Sequence, residues 1–283
     1  MLLKIVIGVV ILVGIGLAFL LGLRWFDARA DALERARLIA LQEPGPKRFD
    51  PAMVADLPEP ARRFFGFAIT PGTALRSVAE IEMGGEISLG SRDAPDYQAM
   101  RASQVLASPH GFVWQVTLAG PAAISGTDAG GWTRFRVLGL LPVARISGDE
   151  DHRRSAYGRY VAESVFWTPA AVLPGPGITW QGLGPDTARV TVRHGALAQA
   201  VDLKIAPDGR PIAVWFSRWS NENPDRVYRL QPFGGTLSEY REVQGFRLPF
   251  RVEAGNHFGT DEYFAFYKAD VREIRFPEAG AVR

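Results

Sequence analysis

The sequence of 283 residues contains no cysteine and only four histidines. The lack of cysteine excludes disulfides, thiolate metal sites and cysteine nucleophiles. His110, His152, His194 and His257 lie far apart in turn-like sequence, and no pair of them has the spacing of metal ligands. We therefore expect surface-loop histidines, no metal site and no resident cofactor.

Short motifs of catalysis and nucleotide binding are missing as well. The chain has no G-x-S-x-G, H-E-x-x-H, P-loop or G-x-G-x-x-G pattern, and these are common signatures of hydrolases, metalloproteases and nucleotide-binding enzymes. Three acidic residues at 149–151 precede Arg153 and Arg154. Paired carboxylates can perform acid–base chemistry, but a charged turn explains them equally well. No catalytic residue is predicted.

The chain has no excess of basic or acidic residues outside its N-terminal apolar segment. Of 32 basic and 30 acidic residues, Lys4 and Arg24 flank the N-terminal apolar run, and removing them leaves 30 of each sign. A balanced domain of this kind gives no indication of nucleic-acid binding.

One long segment is free of charge, at residues 5–23. As a helix it would span about 28 Å, close to the thickness of a bilayer core. A cleaved signal peptide is the alternative, because Ala28-Arg29-Ala30 imitates a cleavage site, but the run exceeds the usual apolar region of such peptides. We predict that residues 1–26 form a single-pass anchor in the bacterial inner membrane.

Residues 27–70 have helical features and predict a juxtamembrane neck. A helical pattern over 27–42 ends at a Pro-Gly-Pro sequence, and Asp50-Pro51 is a helix-start signal. A second start at Pro58 leads into the aromatic residues 64–67. We expect these short helices to close one end of a sheet.

From residue 71 onward the hydrophobic pattern has a period of two, as Ile81, Met83 and Ile87 alternate with glutamates. Turn residues separate such segments, which predicts a meander of antiparallel strands. The sequence therefore predicts a mainly β domain over 71–283. Its expected strands are 81–89, 97–107, 112–119, 122–127, 132–138, 178–183, 188–193, 198–205, 211–219, 227–231, 236–243, 247–253 and 261–276.

Residues 153–167 are the exception, because their pattern predicts an internal helix. Tyrosines and valines occupy one side of it, and Arg159 and Glu163 lie together on the other. The pair is either a solvated ion pair or a buried pair that faces a ligand headgroup. Pro169 should end the helix, after which an apolar ribbon at 170–173 and a turn lead to the strand with Trp180.

Three segments resemble a known family in their order: L-P-x-P-x-R-R-F-F at 57–65, G-F-V-W at 111–114, and R-Y-V-A-E-S-V-F-W-T-P-A-A-V-L-P at 159–174. The family is a bacterial group of uncharacterised, membrane-anchored domains whose central motif usually reads R-Y-L-A-E-x-x-W-x-P-x-A-L-L-P. This chain departs from it mildly, with Ala171-Val172 where leucine is commoner. The family looks like the outer-membrane lipoprotein carriers. The resemblance implies a curved antiparallel half-barrel whose internal helix covers the concave face, and it brings no catalytic residues with it.

The abundance of aromatic residues predicts an apolar ligand. We expect the ligand-lining residues to be Phe112, Trp114, Tyr160, Phe166, Trp167, Leu173, Trp180 and Trp215, with Arg159 and Glu163 as a polar pair near the cavity. The predicted function is non-enzymatic binding of a lipid, another apolar ligand or a lipidated partner in the cell envelope. Two alternatives stay open: a structural or partner-binding protein with a self-filled cavity, and a hydrolase of lipid-like substrates.

The side of the membrane is a separate question. Arg24, Arg29, Arg35 and Arg37 follow the apolar run and outnumber Lys4 before it, which favours a cytoplasmic domain. The rule weakens where a large domain follows. The family resemblance implies the opposite, periplasmic side, which we adopt as the expectation.

Overall fold

The computed structural model describes residues 1–278; the expected domain end at 279–283 lies outside this part. The chain folds into one long helix, two shorter α-helices, two 3-10 helices and thirteen strands within these residues. They are α1 (Leu2–Ile39), a 3-10 helix (Pro51–Val54), α2 (Glu59–Ala68), β1 (Ala79–Ser88), β2 (Tyr97–Ala107), β3 (Gly111–Leu118), β4 (Ser125–Ala129), β5 (Trp132–Val137), β6 (Leu141–Ser147), α3 (Glu150–Trp167), a 3-10 helix (Pro169–Val172), β7 (Ile178–Gly184), β8 (Thr187–His194), β9 (Leu197–Ile205), β10 (Pro211–Ser220), β11 (Arg229–Val243), β12 (Phe246–Asn256) and β13 (Phe264–Arg275).

All thirteen strands form one antiparallel sheet made of two meanders. One meander runs from β1 to β6 and the other from β7 to β13, and they join where β1 pairs with β13. The edges of the sheet are therefore β6 and β7, and α3 is the segment that connects them. Since α3 contacts β2 and β3 on one side and β9, β10 and β12 on the other, the sheet curves around the helix. The expected mainly β fold with an internal helix on the concave face is confirmed.

Helix α1 runs without interruption across residue 26, the expected border between anchor and neck. Its N-terminal part is exposed and is long and apolar enough to cross a membrane. Its C-terminal part packs on the convex face of the sheet, where Leu38 is fully buried in a small cluster with Val105 and Val113. The sheet thus lies between α1 on its convex face and α3 on its concave face.

Helix α3 starts one turn before the expected residue 153. The side chain of Asp149 accepts a hydrogen bond from the backbone N–H of Asp151 at 2.9 Å, and this capping contact begins the helix. The acidic residues 149–151 thus form a helix N-terminus, where carboxylates are favourable. The helix ends at Trp167 as expected, and residues 169–172 form a 3-10 turn in place of the expected extended ribbon.

The helix is buried on most of its surface, because the curved sheet surrounds it. Its close approach to the sheet depends on Gly158. A Cβ atom there would lie 2.8 Å from Gln199 Oε1 and 3.1 Å from the ring of Phe216, so a larger residue would push α3 away from β9 and β10.

Two strands differ from the expectation. Strand β6 was not predicted: its segment contains Pro142 and has exposed apolar residues, a combination that an edge strand tolerates. Strand β11 is continuous across residues 232–235, where the sequence predicts a break between two strands. Pairing of β11 with β12 begins only at Phe233, so the missing N–H of Pro232 disrupts no hydrogen bond on that side.

The short helices of the neck close one end of the sheet, as expected. Phe64 and Phe65 of α2 are fully buried. Their rings pack on Trp180 with centroid distances of 5.7 and 5.2 Å. This aromatic group fills the end of the sheet that carries β7.

Candidate functional site

A cavity of about 770 Å³ remains between α3 and the concave face of the sheet. Its walls are mostly aromatic and aliphatic, and its mouth lies between the β1–β2, β10–β11 and β12–β13 turns. A group of charged side chains lies among these walls. The lining includes Ile87, Trp114, Asp128, Thr133, Phe135, Ile146, His152, Arg159, Ala162, Glu163, Phe166, Trp167, Val214, Phe216, Arg218, Phe233, Leu237, Val252, Ala254, Phe264, Phe266 and Tyr267.

Half of the residues expected at a ligand site lie on this lining. Trp114 comes from β3, and Arg159, Glu163, Phe166 and Trp167 come from α3. They converge because the concave-facing side of β3 is opposite the helix. The Trp167 indole also donates a hydrogen bond to the Pro249 carbonyl at 3.3 Å.

The other expected residues lie elsewhere. Phe112 and Tyr160 pack on each other, with ring centroids 5.7 Å apart, and Leu173 packs at the edge of the core. Trp180 is covered by α2. Trp215 faces the convex side, where it stacks on Phe258, because odd and even residues of β10 point to opposite faces.

The polar pair Arg159–Glu163 is part of a buried network. Arg159 donates from Nε to Glu163 Oε1 at 2.8 Å and from Nη1 to Asp128 Oδ2 at 2.6 Å. Gln104, fully buried on β2, donates to Glu163 Oε2 at 2.7 Å. Burial opposes the charge on Arg159, but Glu163 and Asp128 outweigh it and hold the pKa of Arg159 above its usual range. The network ties α3 to β2 and β4.

Asp128 also belongs to a second polar group with Thr133 and His152. Thr133 Oγ1 donates to Asp128 Oδ1 at 2.5 Å and lies 2.8 Å from His152 Nε2. Burial raises the pKa of Asp128, but His152, 3.7 Å away, and the charge of Arg159 hold it below its usual value. The Thr133 hydroxyl and the Asp128 carboxylate both face Nε2 of His152. In a catalytic triad the hydroxyl and the carboxylate bind different nitrogens of the imidazole ring, so this group is not arranged as a triad.

Arg218 is the one arginine of the cavity lining without a hydrogen-bond or ion-pair partner in the described part of the chain. It lies on β10, on the same face as Val214 and Phe216, and its guanidinium carbon is 4.9 Å from the centroid of the Phe233 ring. Its buried Nε–H group donates to no acceptor within residues 1–278. Burial and the nearby charge of Arg159 lower the pKa of Arg218, although an arginine stays protonated.

A second charged cluster lies on the convex face and was not predicted. Asp27 of α1 is 3% exposed and pairs with Arg134, Arg136 and Arg145 of β5 and β6. One turn along α1, Asp31 accepts hydrogen bonds from the Thr127 hydroxyl and the Trp132 indole. This cluster joins α1 to the sheet.

One histidine differs from the expectation of surface positions, because His152 is buried in α3. His110 and His194 are exposed, and the fold brings their rings to a centroid distance of 5.0 Å. Burial and the neighbouring His194 and Arg37 lower the pKa of His110. No group of three or more His, Asp or Glu side chains suited to a metal ion occurs within residues 1–278.

The chain is similar to two solved structures, at low sequence identity, and it matches one protein family. A LolA superfamily protein from Nitrosomonas europaea is 12% identical at a TM-score of 0.41, covering 77% of this chain and 92% of that one. A domain assigned to outer-membrane lipoprotein sorting, from Vibrio parahaemolyticus, is 13% identical at a TM-score of 0.36, covering 82% and 93%. No curated protein matches the chain. The model of a family of unknown function, DUF6544, matches residues 47–269, and the chain therefore belongs to that family.

Proposed function

We propose that the protein is a membrane-tethered, non-enzymatic binding domain that holds a lipid or another apolar chain in its concave cavity. The observation that carries this proposal is the space of about 770 Å³ that α3 leaves beneath the curved sheet. Ligand sites of proteins have volumes of about 300–1,000 Å³, with apolar walls and few polar groups. The volume of this space supports binding of a guest over a self-filled cavity.

The position of the sheet beside α1 supports the tether. Arg24, the first charge after the apolar run, donates to the Gly139 carbonyl in the β5–β6 turn at 2.9 Å. The same turn exposes Leu138, which is 66% exposed, and α1 exposes Trp25 and Phe26 at this level. Aromatic and aliphatic side chains at one height are typical of a membrane–water interface. We place the sheet directly on the membrane surface.

The domain partition in this proposal is an anchor in residues 1–26, a neck in 27–70 and the binding domain in 71–283. We place the binding domain on the periplasmic side of the inner membrane, on the strength of the sequence resemblance. A reporter fused to the C-terminus that is active only outside the cytoplasm should give a signal. Silence of that reporter, with activity of a cytoplasmic one, would place the domain on the other side.

The cavity is tested by filling it. Ala254 of β12 lines the cavity, whereas Ala198 of β9 is exposed on the surface. In native mass spectrometry of the full chain extracted in mild detergent, we expect bound lipid on the unaltered protein and on Ala198→Phe, and its loss from Ala254→Phe. Lipid that adheres to α1 alone would be retained by both variants equally. Equal retention, or a ligand-free mass for all three proteins, would reject the proposal.

A further inference from the structure

The two buried carboxylates of the cavity accept hydrogen bonds from protein donors, whereas one arginine of the lining has no hydrogen-bond partner in the described residues. Asp128 accepts from Arg159 and Thr133, and Glu163 accepts from Arg159 and Gln104. Arg159 uses its Nε and Nη1 groups on these two carboxylates. Two carboxylates and one guanidinium leave a formal charge of −1, and Arg218 balances it through space, without a hydrogen bond to either carboxylate in the described residues.

The acidic residues at the mouth do not neutralise Arg218 either. Glu222 is 58% exposed and pairs with Arg226, and Glu262 is 73% exposed and lies 3.9 Å from His257. No ion pair joins either glutamate to Arg218 in the described part of the chain. Both carboxylates are in contact with water, which weakens their effect on a charge inside the cavity.

An arginine on an apolar wall carries an energetic cost unless it gains a partner. The Phe233 ring provides one such contact, at 4.9 Å from the guanidinium carbon, and an aromatic face compensates a cation only in part. The hydrogen-bond donors of a guanidinium match the oxygen atoms of carboxylate and phosphate groups in a bidentate geometry. The unmet requirement at this wall is thus for a hydrogen-bond acceptor with the geometry of a carboxylate or a phosphate.

We propose that Arg218 binds the anionic headgroup of the ligand, a carboxylate or a phosphate, while the apolar walls hold its chain. The inference rests on the proposed binding of an apolar chain and narrows the ligand to anionic amphiphiles. Arg159 contributes to the same end of the cavity but is held by its two carboxylates, so the specificity lies with Arg218.

Three probes with the same twelve-carbon chain test this proposal: dodecanoate, dodecyl phosphate and dodecan-1-ol. Each is titrated into the delipidated full chain in non-ionic detergent, and the bound fraction is measured. We expect at least one anionic probe to bind about tenfold or more tightly than the alcohol, as a charge-assisted hydrogen bond implies. The order of the two anions distinguishes a carboxylate from a phosphate headgroup.

The variants assign the effect to the residue. Arg218→Met should reduce the preference for the anion to near unity, because it weakens binding of the anions far more than binding of the alcohol, and Arg218→Lys should keep part of the preference. Thermal unfolding of both variants checks that they fold; should Arg218→Met fail to fold, the comparison between the unaltered protein and Arg218→Lys still applies. Equal binding of anions and alcohol by the unaltered protein would overturn the anion site and leave the proposed function standing. Absence of binding by all three probes would reject both.

Discussion

Two buried clusters of charge lie on opposite faces of the same sheet, and neighbouring residues of one strand belong to different clusters. On β4, Thr127 bonds Asp31 of α1 on the convex face, and Asp128 bonds Arg159 of α3 on the concave face. The alternation of a strand thus attaches one helix to each side of the sheet.

The clusters differ in the walls that surround them. On the convex face, Arg134, Arg136 and Arg145 all converge on Asp27, and the space of about 440 Å³ beside Arg136 is lined mostly by polar and charged side chains. On the concave face, Arg218 has no partner in the described residues and borders a cavity. The comparison teaches that buried charge alone does not mark a binding site. A site for an apolar chain also requires a cavity with apolar walls beside the charged group.

The largest expected effect comes from breaking the concave network. Arg159→Met leaves Asp128 and Glu163 buried without their cation, and we expect a loss of about 3–5 kcal/mol in the free energy of unfolding. Arg153→Met is the matched control on the same helix, since Arg153 forms an exposed pair with Glu150 and should cost less than about 1 kcal/mol. Denaturant unfolding of the full chain in detergent measures both. Equal losses would show that the network does not hold α3.

A smaller effect is expected on the convex face. Asp27→Asn removes the shared carboxylate of three arginines, but the Arg145 side chain is 40% exposed and can gain water. We expect a loss of about 2–3 kcal/mol together with faster hydrogen exchange in α1 and β6, and unchanged ligand binding. Glu34→Gln, which alters a surface pair with Arg37, is the control. Loss of ligand binding in Asp27→Asn would mean that the two faces are coupled.

The smallest expected effect is the contribution of Asp128 to the pH dependence of stability. The pKa of Asp128 is held below its usual value in the folded protein, so its contribution to stability is present above the pKa of the unfolded chain, about 4. This contribution is lost as the pH falls through the lower, folded pKa. Unfolding midpoints between pH 6 and pH 3 should fall more for the unaltered protein than for Asp128→Asn. Parallel curves would contradict the assigned protonation.

The sequence predicted the sheet well because its strands are half-buried and alternate, as in β1, where Ile81 and Met83 face the core. Helix α3 was predictable from its period and from the stop at Pro169. Strand β6 was not predicted because an exposed edge strand shows little alternation of apolar and polar residues, and because Pro142 is typical of the end of a strand.

The charged clusters could not be predicted with the same ease, since their members come from distant segments. Asp27 and Asp31 are one turn apart, and Arg134 and Arg136 share one face of β5, so each half carries a local signal. Their pairing, however, depends on how α1 crosses the sheet. The position of Trp180 could not be predicted for the same reason, because only the fold shows that α2 covers it.

The central claim is that the concave cavity holds an apolar chain, and photo-crosslinking tests it most directly. A fatty acid with a diazirine at the end of its chain is added to the full protein in detergent, illuminated, and the labelled residues are mapped by mass spectrometry. We predict labels on the cavity walls, at Phe135, Phe216 or Phe233, with loss of these labels in Ala254→Phe. Labels confined to residues 5–23 of α1 and to the convex face around Trp215 would contradict the account.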